Sequence, residues 1–187
     1  MDKVKGKGKT ITLVIFIIAV FSRLLPHAPN FTPIEAIALF AGAFFMNRYV
    51  KFLLPIVALY LVDLILNNTL LRGFYPHETG IVWYSEYMLW NFIAIIGIVI
   101  IGKLLTKNIS VLNIGLTAIT ASILFFTLSN IGVWISSPLY VKDFQGLISC
   151  FVAALPFFRT SLLSTLAFSY ILIGGYAWIK EGKLSYT

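Results

Sequence analysis

Charged residues are scarce in this sequence. Asp, Glu, Lys and Arg make up 11% of the 187 residues, whereas hydrophobic residues make up 59%. Soluble globular domains carry about 25% charged residues, so the composition excludes an ordinary soluble domain and indicates a polytopic protein of the lipid bilayer. The net charge of +7 does not indicate nucleic-acid binding, because the basic residues fall in small groups between apolar runs.

The sequence also contains only one cysteine and none of the common catalytic motifs. The single cysteine, Cys150, excludes an internal disulfide framework and a cysteine-based zinc site. We expect it to pack as a small hydrophobic residue, with a soft-ligand role as the alternative. The two histidines, His27 and His77, lack metal-binding spacing, and no HExxH, GxSxG or phosphate-binding loop occurs. We therefore expect no enzyme, no metal site, no cofactor and no intrinsic ATPase.

Long apolar runs separated by short polar segments predict an all-α membrane helical bundle. A helix needs about 20 residues to cross the hydrocarbon core. Six transmembrane helices are predicted, at residues 10–25, 33–46, 51–66, 86–105, 110–131 and 161–179. A further run at 146–158, ending near Pro156, has the length of a re-entrant or interfacial half-helix. The prediction is one membrane domain over 1–187, with a basic tail at 1–9, the six-span bundle at 10–179 and a second tail at 180–187.

Basic residues are distributed unevenly between the two ends of this predicted bundle. Ten of the 14 fall on the side of the N-terminus, namely Lys3, Lys5, Lys7, Lys9, Arg48, Lys51, Lys103, Lys107, Lys180 and Lys183. Only Arg23, Arg72, Lys142 and Arg159 fall on the other side. Lys and Arg favour the cytoplasmic side, so both termini are predicted in the cytoplasm, with the chain a multi-pass protein of the bacterial inner membrane. Most acidic residues fall on the outer side, where we therefore expect the functional site.

The segment 22–36, SRLLPHAPNFTPIEA, is unusually polar for a turn between two spans. Thr32 and Glu35 fit a capping box around Pro33 at a helix start. Asp63 lies late in the third span, where an ionised carboxylate needs a partner, and Arg23 is predicted at similar depth. This pair either holds two helices together or faces a solute.

Aromatic and amide side chains mark the same predicted side. Trp83, Tyr84, Tyr87 and Trp90 fit either an interfacial aromatic belt or rings that stack on a flat ligand. Asn91 is an amide inside a span and needs a hydrogen-bond partner.

The fifth span carries one polar face and several small residues. Asn113, Thr117, Thr120 and Thr127 follow helical spacing. Gly115, Ala118, Ala121 and Ser122 are small enough for close helix contact. Asn130 and Trp134 extend the polar face to the outer end.

The segments RLLPHAPNFTPIEAIALFAGAFF, SNIGVWI and GLISCFVAALPFFRTSLLSTL resemble a family of small, uncharacterised bacterial membrane proteins, often from Bacteroidota. That family is in turn similar to the substrate-binding S-components of energy-coupling factor (ECF) vitamin transporters, including the solitary cobalamin-transport type. The resemblance implies a six-helix bundle that captures a vitamin at the outer face, with an energising membrane subunit and ATPases as partners. The first span lacks the AxxxA docking pattern of S-components, and Ala38 and Gly42 are the candidates to replace it.

These features predict a transport protein that captures a vitamin or related small solute at the outer face. The predicted ligand-binding residues are Arg23, His27, Glu35, Asp63, Trp83, Tyr87, Asn91, Asn130, Trp134 and Arg159. Arginines would recognise an anionic group and aromatic side chains would stack on a ring. The alternative is a structural or assembly subunit of an envelope complex that has no solute site.

Overall fold

A computed structural model describes residues 2–22, 30–106 and 108–181, with side chains for 12–22, 30–105 and 108–179. The described part of the chain is helical and contains no strand. Its helices are α1 (Asp2–Ser22), α2 (Ile34–Phe44), α3 (Val50–Asn68), α4 (Met88–Gly102), α5 (Val111–Ser136), α6 (Phe144–Ser169) and α7 (Gly175–Glu181). A π-helical turn, Tyr170–Gly174, joins α6 to α7 without a break. The predicted all-α bundle is confirmed.

Four of the described helices are long and apolar enough to cross a membrane. They cover Val50–Asn68, Met88–Leu105, Val111–Ser136 and Phe144–Ile179. The apolar parts of the first two helices are shorter, at Thr12–Ser22 and Ile34–Phe44. Large apolar side chains such as Ile18, Leu53 and Ile100 point outward and are exposed. Hydrocarbon chains are the surroundings that such a surface requires, so the fold is that of a membrane protein.

Helix α2 is the centre of the bundle. Every residue from Ile34 to Gly42 is buried, and the helix contacts α1, α3, α4, α5 and α6. Its 11 residues correspond to a rise of about 16 Å, roughly half of the 30 Å hydrocarbon core. The predicted span at 33–46 is therefore a short core helix covered by protein.

Two glycines allow α2 and α4 to pack backbone against backbone. A Cβ atom at Gly42 would overlap the carbonyl oxygen of Val99, and one at Gly102 would overlap that of Leu39. Ala38 and Gly42 are both buried. They therefore present no surface for a partner, and their proposed use as a replacement docking pattern is wrong.

The predicted half-helix at 146–158 and the predicted span at 161–179 form one helix. It runs over Phe144–Ile179, 36 residues, and begins where the Asp143 carboxylate accepts the N–H of Gly146 at 2.7 Å. Pro156 lies inside it. A proline removes one helical hydrogen bond, but ending a helix in apolar surroundings leaves several backbone groups unsatisfied. The separate half-helix is therefore wrong, because continuing through Pro156 leaves fewer groups unpaired.

The small residues of α5 pack as predicted, and its threonines do not. Gly115, Ala118, Ala121 and Ser122 are buried. The hydroxyls of Thr117, Thr120 and Thr127 each donate to a carbonyl four residues earlier in α5. These threonines satisfy their polar groups within the helix.

Candidate functional site

A cavity of about 360 Å³ lies inside the bundle, where the starts of α2 and α4 meet the later halves of α3 and α5 and the middle of α6. Its polar lining consists of Asn30, Thr32, Glu35, Asp63, Asn67, Ser85, Tyr87, Asn91, Ser129, Asn130 and Ser161. Its apolar lining consists of Ile34, Leu59, Leu71, Phe125, Phe126, Val133, Ala154, Phe157 and Phe158. We refer to it as the central cavity.

Glu35 is the most deeply buried carboxyl group in the described structure, with 1% of its surface exposed. It lies in the first turn of α2, where the helix dipole favours negative charge. The hydroxyl of Ser161 on α6 donates to its Oε1 at 2.5 Å. A second serine of α6, Ser164, donates to the carbonyl oxygen of Thr32. Helix α6 therefore holds the start of α2 through two hydrogen bonds.

This arrangement corrects the predicted capping box. Pro33, not Thr32, occupies the cap position of α2, and no side chain caps the helix. Because the Glu35 carboxyl group is held by α6, it forms part of the cavity wall.

The polar wall on α3 follows from helical spacing. Leu59, Asp63 and Asn67 recur every four residues and therefore face the same side of the helix. Asp63 is partly buried and Asn67 is buried.

Two amides contribute differently to the wall. The side-chain NH₂ of Asn130 donates to the carbonyl of Phe126 at 2.7 Å. The side-chain oxygen of Asn91 is buried and has no hydrogen-bond partner among the described residues. Buried polar atoms in native structures are nearly always paired. Asn91 therefore offers an acceptor that a bound molecule with an N–H or O–H group would satisfy.

Aromatic rings from α5 and α6 form an aromatic wall, to which Ser129, Asn130 and Ser161 of the same two helices add polar groups. Phe126 and Phe158 lie with ring centroids 4.6 Å apart, and Phe125 and Phe157 line the cavity beside them. Such a surface accommodates the face of a flat ring or an apolar group.

Half of the predicted ligand-binding residues meet at this cavity. Glu35, Asp63, Tyr87, Asn91 and Asn130 line it. Arg23 and His27 lie outside the described residues, so the predicted pair of Arg23 with Asp63 is not described either.

The other three predicted residues lie elsewhere. Trp83 lines a neighbouring groove. The indole N–H of Trp134 donates to the carbonyl of Val141 at 2.9 Å, so this side chain ties down the 137–143 connection. Arg159 is exposed and is not among the residues that line the cavity. The structure thus gives Trp134 a structural contact.

Sequence reasoning missed several lining residues. Asn67 had a usable signal, because it lies one turn beyond Asp63 on the same helical face. Ser129 and Val133 similarly follow from Phe126 by helical spacing. Ser161 had no such signal, since it lies in a region predicted to follow a helix break.

A family model described as "Family of unknown function (DUF6580)" matches residues 5–186. No curated protein and no solved structure matches the chain. The similarity to ECF S-components is thus not supported by a matched relative.

Proposed function

The chain belongs to the DUF6580 family of unknown function, and we propose that it is a membrane transport protein that binds a small solute in the central cavity. The observation that carries the proposal is the combination, in one cavity, of hydrogen-bonding side chains with four phenylalanine rings. Ligand pockets usually combine apolar surface with a few well-placed polar groups. The unpaired oxygen of Asn91 adds a specific acceptor for the solute.

Charge placement supports an outward-facing cavity. Arg48 and Lys51 flank the start of α3, whereas the cavity lies against its later half, which contains Asp63 and Asn67. Since basic residues favour the cytoplasmic side, we infer that the cavity faces the outside of the bacterial inner membrane and that both termini are cytoplasmic.

The size of the cavity favours a compact solute. A volume of about 360 Å³ is near the lower end of the roughly 300–1,000 Å³ found for ligand pockets. We therefore infer a vitamin or related compound with one or two rings, and not a corrinoid. Capture of such a solute would resemble the role of an S-component. An energising subunit would have to contact a surface other than Ala38 and Gly42, which are buried.

Thermal unfolding of the purified protein against a panel of small vitamins tests this proposal. The panel contains nicotinamide, pyridoxine, thiamine and biotin. A solute present at 100 times its Kd stabilises the folded state by about 2.7 kcal/mol. Asn91→Ala should weaken binding of that solute by roughly fivefold, the effect of losing one hydrogen bond.

Thr127→Ala is the matched control. Thr127 also lies in a membrane helix, but it does not line the central cavity and its hydroxyl donates within α5. The Thr127→Ala variant should leave the affinity for the solute unchanged. A panel that produces no shift, or a solute that binds both variants equally, would contradict binding in the central cavity and favour an assembly role.

A further inference from the structure

A second concave region lies beside the central cavity. This groove, of about 630 Å³, is formed by the connection between α3 and α4 and by the end of α5. Its lining includes the rings of Phe74, Trp83 and Tyr84 and the carboxylates of Glu78 and Glu86. We refer to it as the outer groove.

The lining of the outer groove favours a positively charged ring. Trp83 and Tyr84 are 57% and 73% exposed, so their ring faces are accessible. Aromatic faces and carboxylates both attract cations. No Lys, Arg or His is among the described residues that line the groove.

Two nearby cations are engaged by backbone carbonyls. Arg72 donates to the carbonyl of Glu78, and Lys142 donates to those of Trp134, Ser137 and Tyr140. Neither side chain lines the groove, so Glu78 and Glu86 are the charged residues among the described residues of its lining.

The outer groove and the central cavity share one wall. Ser85, Tyr87 and Val133 line both spaces. Tyr75 lines the groove together with Tyr87 and Ser85, and its side chain lies close enough to both to affect its ionisation. The two spaces are therefore neighbours, and Tyr75 lies on the groove side of the wall that Tyr87 shares with the cavity.

We propose that the outer groove is a second binding site, for a flat ring that carries a positive charge, and that Tyr75 and Tyr87 gate its passage into the central cavity. This inference rests on the proposed function, because it treats the groove as the entrance to the solute cavity. The inference adds to the proposed function that the solute carries a positive charge and that Tyr75 and Tyr87 control its access to the central cavity.

Thiol labelling tests both parts without knowledge of the solute. In a Cys150→Ala background, Ser136→Cys reports on the groove and Ser129→Cys on the cavity. Each is labelled in nanodiscs with a trimethylammonium-ethyl or a sulfonatoethyl methanethiosulfonate. Each rate is divided by the rate of the same reagent with free 2-mercaptoethanol, which removes intrinsic differences in reactivity.

The charge of the groove predicts a preference for the cationic reagent at Ser136→Cys. We expect about a tenfold preference at low salt, falling as salt screens the carboxylates. The double variant Glu78→Gln, Glu86→Gln should abolish it. Equal rates, or a faster anionic reagent, would overturn the proposed charge of the solute.

The gate predicts a separate result in the cavity. Tyr75→Phe keeps the ring but removes the hydroxyl beside Tyr87 and Ser85, so labelling of Ser129→Cys should rise roughly fivefold, as expected for loss of one polar contact. Labelling of Ser136→Cys should not change. Tyr140→Phe, which removes a hydroxyl from a residue that lines neither space, is the control and should alter neither rate.

An unchanged rate at Ser129→Cys in Tyr75→Phe would overturn the gate. These results do not depend on solute binding. A vitamin that binds through Asn91 while both reagents label equally would contradict this inference and leave the proposed function intact.

Discussion

The contact between α2 and α4 leaves no room for a side chain at Gly42, and Gly42→Ala should therefore destabilise the bundle. The added Cβ atom would overlap the carbonyl oxygen of Val99 and lie 3.0 Å from its carbonyl carbon. These are backbone atoms of α4, so they cannot rotate away as a flexible side chain can. The two helices would have to separate.

The expected loss follows from two opposing effects. Overpacking a well-packed core costs about 1–3 kcal/mol, and a backbone obstruction belongs at the upper end of that range. Alanine is favoured over glycine in a helix by about 1 kcal/mol. We therefore expect Gly42→Ala to lower the free energy of unfolding by about 2 kcal/mol.

Gly175→Ala is the matched control, because no atom of the described residues lies within 4 Å of its added Cβ. This variant should be as stable as the natural protein or slightly more stable. Gly97→Ala should fall between the two, since among the described residues its Cβ meets only the flexible side chain of Leu124, whose Cδ2 lies at 2.6 Å. Unfolding in detergent micelles by titration with SDS, followed by circular dichroism, measures all three. Equal stability of Gly42→Ala and Gly175→Ala would refute the close backbone contact.

Burial, and then the neighbouring Tyr87, raises the pKa of Tyr75. The pKa of an unperturbed tyrosine is about 10. Below about pH 10 the neutral phenol of Tyr75 therefore makes its full contribution to the stability of the fold. This contribution is lost as the pH rises further. Absorbance titration of tyrosinate should show a late-ionising group that is missing in Tyr75→Phe and retained in Tyr84→Phe. At the start of α6, Asp143→Ala should lower the free energy of unfolding by about 1 kcal/mol, whereas Asp143→Asn, which keeps the acceptor for Gly146, should lose little in the same SDS titration.

Hydropathy predicted the long lipid-facing helices well, because an apolar run of sufficient length has few other stable conformations. Residues 51–66 and 110–131 became α3 (Val50–Asn68) and α5 (Val111–Ser136). The position of α2 could not be predicted in the same way. Lipid and protein are equally apolar surroundings, so composition does not reveal that Ile34–Phe44 is covered by other helices instead of by lipid.

The site was predictable where a polar group stands out against an apolar background. Glu35, Asp63, Asn91 and Asn130 all interrupt apolar segments, and all four line the central cavity. Serine and phenylalanine do not stand out in this way, because both are common in membrane helices. The aromatic wall and its serines therefore required the structure.

Continuity of α6 explains why two separate predictions failed together. Ser161 lies beyond Pro156, where the sequence predicted the end of a half-helix. Because the helix continues, Ser161 lies on the same helix that contacts α5, and its hydroxyl donates to Glu35. The carboxyl group is then held by a distant helix, not by the backbone amide that a capping box supplies. An unbroken α6 thus makes Glu35 a wall residue of the central cavity and also carries the phenylalanines that face it.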